Sequence, residues 1–289
     1  MILHKTIGNK LKETENLSIS QIVRKYNLSP KKSLGQNFIF DKSLLNKIAN
    51  LSDPKSAKII LEIGPGPGGL TRALIENGAK KIYLIEQDIR FKGALEEITS
   101  KYPDKITIKF EDALKFNYSN EFLENVVIAS NLPFNIATPL LINWLSLEPW
   151  PGWWSKMILM FQKEVAERIT AEPCNKNYGR LSVISQCRAK CKILFKVNST
   201  AFHPAPKVDS SIVLFEPLKD LKVKINTIEK ITRHAFGQRR KMLKSSLKNI
   251  IPDTTFFLKE INIDSEKRAE ELSVEDYINI SKAYEIHYK

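Results

Sequence analysis

Cysteine is scarce in this 289-residue chain, with three residues, Cys174, Cys187 and Cys191. So sparse and odd a set excludes a disulfide framework. Histidine is almost as rare, with four residues scattered along the chain. Neither type falls at metal-ligand spacing, so no metal is expected. Cys187 and Cys191 would share a helix face only if one helix held both, and the cysteines read as small buried hydrophobes. No apolar run is long enough to cross a bilayer. The opening Met1-Ile-Leu-His-Lys5 lacks a signal-peptide core, and Glu13 and Glu15 argue against a transit peptide. A cytoplasmic chain that does not engage a membrane is the expectation. Internal repeats and low-complexity tracts are also absent.

Acidic residues are outnumbered, 32 against 45 Lys and Arg, for a formal charge of +13 and a pI near 9.5. A positive surface attracts phosphate and releases counterions on binding, although charge by itself also serves solubility. The 43% hydrophobic content over 289 residues suffices for an α/β domain and a smaller one.

The first chemical signal follows Lys58-Ile-Ile-Leu-Glu-Ile63, a β-branched apolar run that predicts a buried parallel strand. Gly64-Pro-Gly-Pro-Gly-Gly69 comes next, then a helical pattern over Leu70 to Asn77 ended by Gly78. Strand, glycine turn and helix make a nucleotide-binding βα unit, in which glycine lets a ligand approach the backbone. Gly64, Gly66 and Gly69 fit NAD or FAD as well as S-adenosyl-L-methionine. A second strand, Lys81 to Glu86, ends in a carboxylate where a ribose diol would be held. A third, Ile106 to Phe110, runs into Glu111-Asp112. Asp112 could accept from an adenine amine, cap a helix, or do both.

A fourth strand, Val126 to Ser130, delivers Asn131-Leu132-Pro133-Phe134 to the same sheet edge. An aromatic amine is a poor nucleophile because its lone pair is delocalised into the ring. Acceptors aimed at its two N–H bonds favour a tetrahedral nitrogen and stabilise the positive charge that develops as it attacks a sulfonium methyl. The Asn131 amide oxygen supplies one acceptor. The Leu132 carbonyl supplies the other, because Pro133 has no N–H and forces its predecessor into an extended conformation. Phe134 can stack on the base and hold it in line. Following the glycine loop and two acids, the tetrapeptide selects S-adenosyl-L-methionine over the dinucleotides.

These segments resemble the ribosomal RNA adenine dimethyltransferases, in their bacterial small-subunit (KsgA) form, over roughly residues 20 to 285. The resemblance also rests on Lys31-Lys-Ser-Leu-Gly-Gln-Asn-Phe38, Ile85-Glu-Gln-Asp88, Phe161 to Arg168, Phe202 to Ser210 and Ala235 to Leu243. It implies that Asn37, Ile39, Gly64, Glu86, Asp112 and Asn131 contact S-adenosyl-L-methionine, with Gly66 in the same loop. The implied product is N6,N6-dimethyladenosine at two adjacent adenosines near the 3′ end of small-subunit RNA, made by a monomer on a partly assembled particle. Phe134 stands where many members have Tyr, which keeps the stacking face. The motifs are shared with large-subunit adenine methyltransferases, and some relatives are non-catalytic RNA-binding assembly factors. Phe236-Gly-Gln-Arg-Arg-Lys241 favours the small-subunit enzyme, and the intact Glu86, Asp112 and tetrapeptide favour catalysis.

The expected fold is α/β, a Rossmann-like seven-stranded methyltransferase domain over 31–217 plus a C-terminal helical RNA-binding domain over 218–289. Residues 1–30 form an N-terminal extension with a short amphipathic helix from Ile19 to Asn27. Lys156 to Phe161 is the fifth strand, and Cys191–Val197 with Ser211–Phe215 an antiparallel edge pair. Helices are predicted over Glu164–Ala171, Tyr178–Cys187, Thr227–Phe236, Arg240–Lys248 and Val274–Tyr284, with Glu216 to Leu221 as linker. Trp144, Trp150, Trp153 and Trp154 read as packing over the sheet rather than as an RNA platform. His203, in the Phe202-His-Pro-Ala-Pro206 loop, fits a turn or a contact to a base. Arg239, Arg240 and Lys241, cations at a predicted helix start, oppose the macrodipole there and so point to phosphate contact.

Overall fold

Strands come from the β-branched runs, and nine are present among the described residues of this computed structural model. In chain order they are β1 (Phe38–Ile39), β2 (Ile59–Ile63), β3 (Ile82–Glu86), β4 (Ile106–Phe110), β5 (Val126–Ser130), β6 (Trp154–Gln162), β7 (Ala189–Val197), β8 (Phe202–His203) and β9 (Ser210–Pro217). The structure describes residues 17–218 and 223–288. Met1–Lys5, Glu13, Glu15 and residues 219–221 of the expected linker lie outside them.

The chain divides into two units. The first gathers residues up to Asn117 with Asn125–Ile136 and Val197–Asp209; the second holds Tyr118–Glu124, Ala137–Lys196 and the chain from Ser210 onward. Strand order is 4-3-2-5 within the first unit and 6-9-7 within the second, seven strands in all. In the first unit β2 pairs in parallel with both β3 and β5, and β3 with β4. Every residue of β3 and β5 is buried, which is why these runs carry no polar alternation. Each such Ile, Leu or Val contributes about 1.5–3 kcal/mol. Parallel strands need crossovers, and the helices Gly69–Glu76 and Lys92–Lys101 supply two of them. The helix Ile19–Lys25 starts on a capping box between Ser18 and Gln21. Its Lys25 and Tyr26 both bond Glu97, at 2.7 and 2.6 Å.

In the second unit β6 and β9 are antiparallel, Met157 opposite Phe215 through Gln162 opposite Ser210. The helices Arg180–Arg188, Ile225–Gly237 and Val274–Tyr288 pack around a core that includes Ile228, Ile231, Leu247, Phe257 and Tyr277. Trp144, Trp153 and Trp154 are almost fully buried. The Trp153 ring stacks on Tyr118 at 5.1 Å, as the packing reading expected.

Several local expectations are corrected. The helix placed over Arg240–Lys248 shrinks to Leu243–Ser246. Gln238 accepts the Lys241 N–H at 2.8 Å, closing a turn, and Leu243 N–H donates to Lys267 at 2.8 Å. A pairing distant in sequence therefore overrides helix propensity, and Arg239, Arg240 and Lys241 occupy a turn, not a helix start. The macrodipole argument for them lapses. The helix Thr254–Glu260 was not foreseen, although Asp253 caps it by accepting from Phe256 N–H. Cys174 is exposed rather than buried. Cys187 lies on a helix and Cys191 on β7, so they share no helix face. Asp112 caps a turn instead of a helix, its Oδ1 accepting from Leu114 N–H at 2.9 Å.

Candidate active site

The cavity of the first unit lies at the carboxyl ends of β2, β3 and β5. It holds about 650 Å³, its open mouth included, and is lined by Gly35 to Ile39, the glycine loop, Glu86 and Asn131 to Phe134. That volume suits a nucleoside-sized ligand.

Its first wall is the loop after β2. Gly64 has φ of +63°, and a Cβ there would lie 3.1 Å from the Pro133 ring. Only glycine lets this loop rest on the tetrapeptide without strain. Ser130 Oγ donates to the Ile63 carbonyl at 2.6 Å, which ties the ends of β2 and β5 together. Glu62, on the cavity side of β2, is buried and accepts from Thr71 Oγ1 at 2.7 Å. Burial pushes its pKa up to about 8. The sequence places Glu62 in the strand before the glycine loop and gives it no role of its own.

Glu86 ends β3 with its carboxylate inside. It accepts from Gly66 N–H at 3.1 Å and Asp88 N–H at 2.8 Å, and burial pushes its pKa up to about 7. Glu86 lines the cavity, where a diol would donate to it. Asp88, bonded by Arg90 and then by Gln36, is held at a pKa of about 2. Gln36 Nε2 donates to Asp88 at 3.0 Å and Arg90 donates to the Ser29 carbonyl at 3.0 Å. This network fastens residues 29–37 beside Glu86, a role for Asp88 and Arg90 that no local pattern announced.

The third wall is the tetrapeptide. Asn131 Nδ2 donates to the Asn37 carbonyl at 3.2 Å, which orients the amide and leaves Oδ1 as the acceptor. Gly35, at φ +63°, brings the Gln36-Asn37 segment close; a Cβ there would sit 2.7 Å from Asn135 Oδ1. Leu132 is buried and Phe134 half-buried, its ring edge-on to Phe202 at 6.5 Å. Phe202 arrives through β8, which pairs antiparallel with β1, Ile39 opposite Phe202 and Phe38 opposite His203. Two-residue strands joined over such a sequence distance leave no periodic signal, so the pairing was missed.

Asn37, Ile39, Gly64, Gly66, Glu86 and Asn131 thus converge on one cavity. Asp112 does not line it. A second cleft of about 400 Å³ shares Gln36, Gly64, Glu86 and Pro133 with the first, and is walled by Ile63, Ile85, Glu111, Ala113 and Ile136. Its apolar sides suit a flat ring, with Glu111 at its wall and Asp112 between the lining residues Glu111 and Ala113. A buried carboxylate set for a diol, an apolar slot beyond it and an amide acceptor at the other end fit S-adenosyl-L-methionine. Among the described residues no three His, Cys, Asp or Glu are grouped to hold a metal, and no helix is long and apolar enough to cross a membrane.

Comparison with known proteins gives the family. The family model described as ribosomal RNA adenine dimethylase matches residues 27–285. Ribosomal RNA small subunit methyltransferase A of Xanthobacter autotrophicus is 45% identical over 268 residues, 92% of this chain and 93% of its own. The protein of that name from Brucella abortus is 46% identical over 92% of this chain and 96% of its own. The crystal structure of a dimethyladenosine transferase from Plasmodium falciparum superposes with a TM-score of 0.75 at 27% identity, over 86% of this chain and 98% of that one. The 23S rRNA methyltransferase ErmE, at 22% identity and a TM-score of 0.65 over 86% of this chain and all of its own, shares the fold. With the match running over nearly its whole length, this chain belongs to the ribosomal RNA adenine dimethylase family.

Proposed function

We propose that the protein dimethylates the exocyclic amine of two adjacent adenosines near the 3′ end of small-subunit ribosomal RNA. The observation that carries this reading is the Asn131 amide, oriented by the Asn37 carbonyl at 3.2 Å in a cavity that Phe134 also lines. S-adenosyl-L-methionine supplies an electrophilic methyl group on a sulfonium. Asn131 Oδ1 and the Leu132 carbonyl accept from the two N–H bonds of the adenine amine, while Phe134 covers one face of the base. As the N–C bond forms, the methyl–sulfur bond breaks, its electron pair staying on sulfur as a neutral thioether. Positive charge grows on nitrogen next to these acceptors, and their preorganisation would lower the barrier. The proton becomes acidic once the methyl has arrived, so no strong base is needed. For the second transfer the remaining N–H bonds one acceptor. Relatives named for the small subunit support this reading over a large-subunit substrate.

The test is primer extension on ribosomal RNA from cells lacking the protein and from cells carrying it. A dimethylated amine cannot make its Watson–Crick pair, so paired stops should appear only where the protein is present. Their absence would overturn the reading.

We assign RNA contact to the turn that follows the helix Ile225–Gly237, in a monomer acting in the cytoplasm on partly assembled particles. Arg239 is bonded to Glu270 and donates to the Lys176 carbonyl at 2.9 Å, so it braces the turn. Arg240 and Lys241 are exposed and suit phosphate. Replacing both with Ala should leave cofactor affinity intact and flatten the salt dependence of particle binding, by about 0.7 in logarithmic slope for each phosphate no longer neutralised. An unchanged slope in titrations at several salt concentrations would return them to a solvated surface.

A further inference from the structure

Arg72 lies half-buried on the helix behind the glycine loop, where Glu97 and Glu76 act on it through space. Its Nε and Nη2 are closed off from solvent and have no hydrogen-bond partner. The nearby acids are already engaged, Glu76 with Lys42 at 2.9 Å and Glu97 with Lys25 at 2.7 Å. A guanidinium stays charged at neutral pH, and enclosed donors without an acceptor are costly.

Arg72 lines a cavity of about 470 Å³ with Lys42, Glu76, Phe40 and Leu17. Leu45 and Gly69 belong to this cavity and to the cofactor cavity alike. Lys42 and Arg72 against Glu76 leave one net positive charge, which one phosphodiester would neutralise. Phe40, on the wall, stacks against His203 with ring centroids 5.4 Å apart and planes at 24°. His203 is exposed, so its outer face is open to a base. Along β8 it follows Phe202, the ring beside Phe134. Cations next to an open aromatic face are the elements that hold single-stranded RNA.

We propose that this cavity is a nucleotide subsite for the RNA strand next to the target adenosine. The phosphate accepts from Arg72 and Lys42, and the adjoining base stacks on His203 backed by Phe40. Lys42 exchanges Glu76 for the phosphate, and the guanidinium turns to meet it. The subsite rests on the reading of the protein as an RNA methyltransferase and adds to it a grip on the neighbour of the extruded base.

The experiment uses the full chain with S-adenosyl-L-methionine and an RNA fragment of the methylated region, carrying 2-aminopurine on either side of the target adenosine. Wild type should quench the fluorophore on one side, and His203→Ala should abolish that quenching. Arg72→Gln and Lys42→Gln should each weaken RNA binding about tenfold, as expected for a charge-assisted bond, and flatten its salt dependence by about 0.7 in slope. Calorimetric affinity for S-adenosyl-L-methionine should stay unchanged in all three. If Arg72→Gln fails to fold, the exposed positions Lys42 and His203 decide. Unaltered RNA affinity, slope and quenching in them would overturn the subsite. Inorganic phosphate that raises the melting temperature of wild type but not of Arg72→Gln, without competing with RNA, would also overturn it, as a site for a free anion. Dimethylation by wild type is scored in parallel. Its absence defeats the functional reading, whereas dimethylation with indifferent variants defeats the subsite alone.

Discussion

Asn131→Ala is expected to slow methyl transfer by about two to three orders of magnitude, the usual cost of losing one preorganised partner of a developing charge. RNA affinity should persist, because the amide acts mainly as charge appears on nitrogen. A second variant separates the two roles of this side chain. Nδ2 holds the Asn37 carbonyl at 3.2 Å and Oδ1 serves the amine, so Asn131→Asp should keep the acceptor and lose the tether. Phe134→Tyr should stay active, since the stacking face is kept, while Phe134→Ala should lose rate. Single-turnover methylation by Asn131→Ala at the wild-type rate would defeat the mechanism.

Glu86→Ala should weaken S-adenosyl-L-methionine binding by a few kcal/mol, since each charge-assisted bond is worth roughly 1.5 to 3 kcal/mol. Unchanged calorimetric affinity would remove Glu86 from the site. Its pKa, pushed up to about 7 by burial, adds a pH signature. The ionised form accepts from both hydroxyls, so cofactor affinity should rise as pH climbs through about 7. Stability of the ligand-free protein should move the other way. The fold raises the pKa of Glu86 and also of Glu62, to about 8, so the native state holds protons that the unfolded chain releases. That contribution is complete below the ordinary carboxylate range and is lost as pH rises through about 7 and then 8. Melting temperatures across pH 5 to 9 should fall, and Glu86→Gln should flatten the curve.

Much of the site was legible because its chemistry is local. Glycines 64 and 66, Glu86 at a strand end and the tetrapeptide at the next sheet edge each follow a buried run whose period marks it as a strand. Asp112 shows the limit of that logic. It was placed by its position after β4; its Oδ1 accepts from its own turn, and its neighbours Glu111 and Ala113 line the cleft. Arg239 to Lys241 show another. Their charge was visible, but whether they began a helix depended on Leu243 pairing with Lys267, which no window of sequence contains. The tie between Gln36, Asp88 and Arg90 escaped for the same reason.

The pairing of Phe38 with His203 bears on how the protein is made. The ribosome releases the glycine loop, Glu86 and the tetrapeptide early, yet the strand that joins Ile39 to Phe202 emerges only after residues 137–196, which belong to the other unit. A nascent chain halted before residue 200 therefore carries the cavity's lining residues without the segment that seats Phe202 beside Phe134. The seating of Phe202 beside Phe134 is in this way a late event of synthesis, later than the whole lining of the cavity.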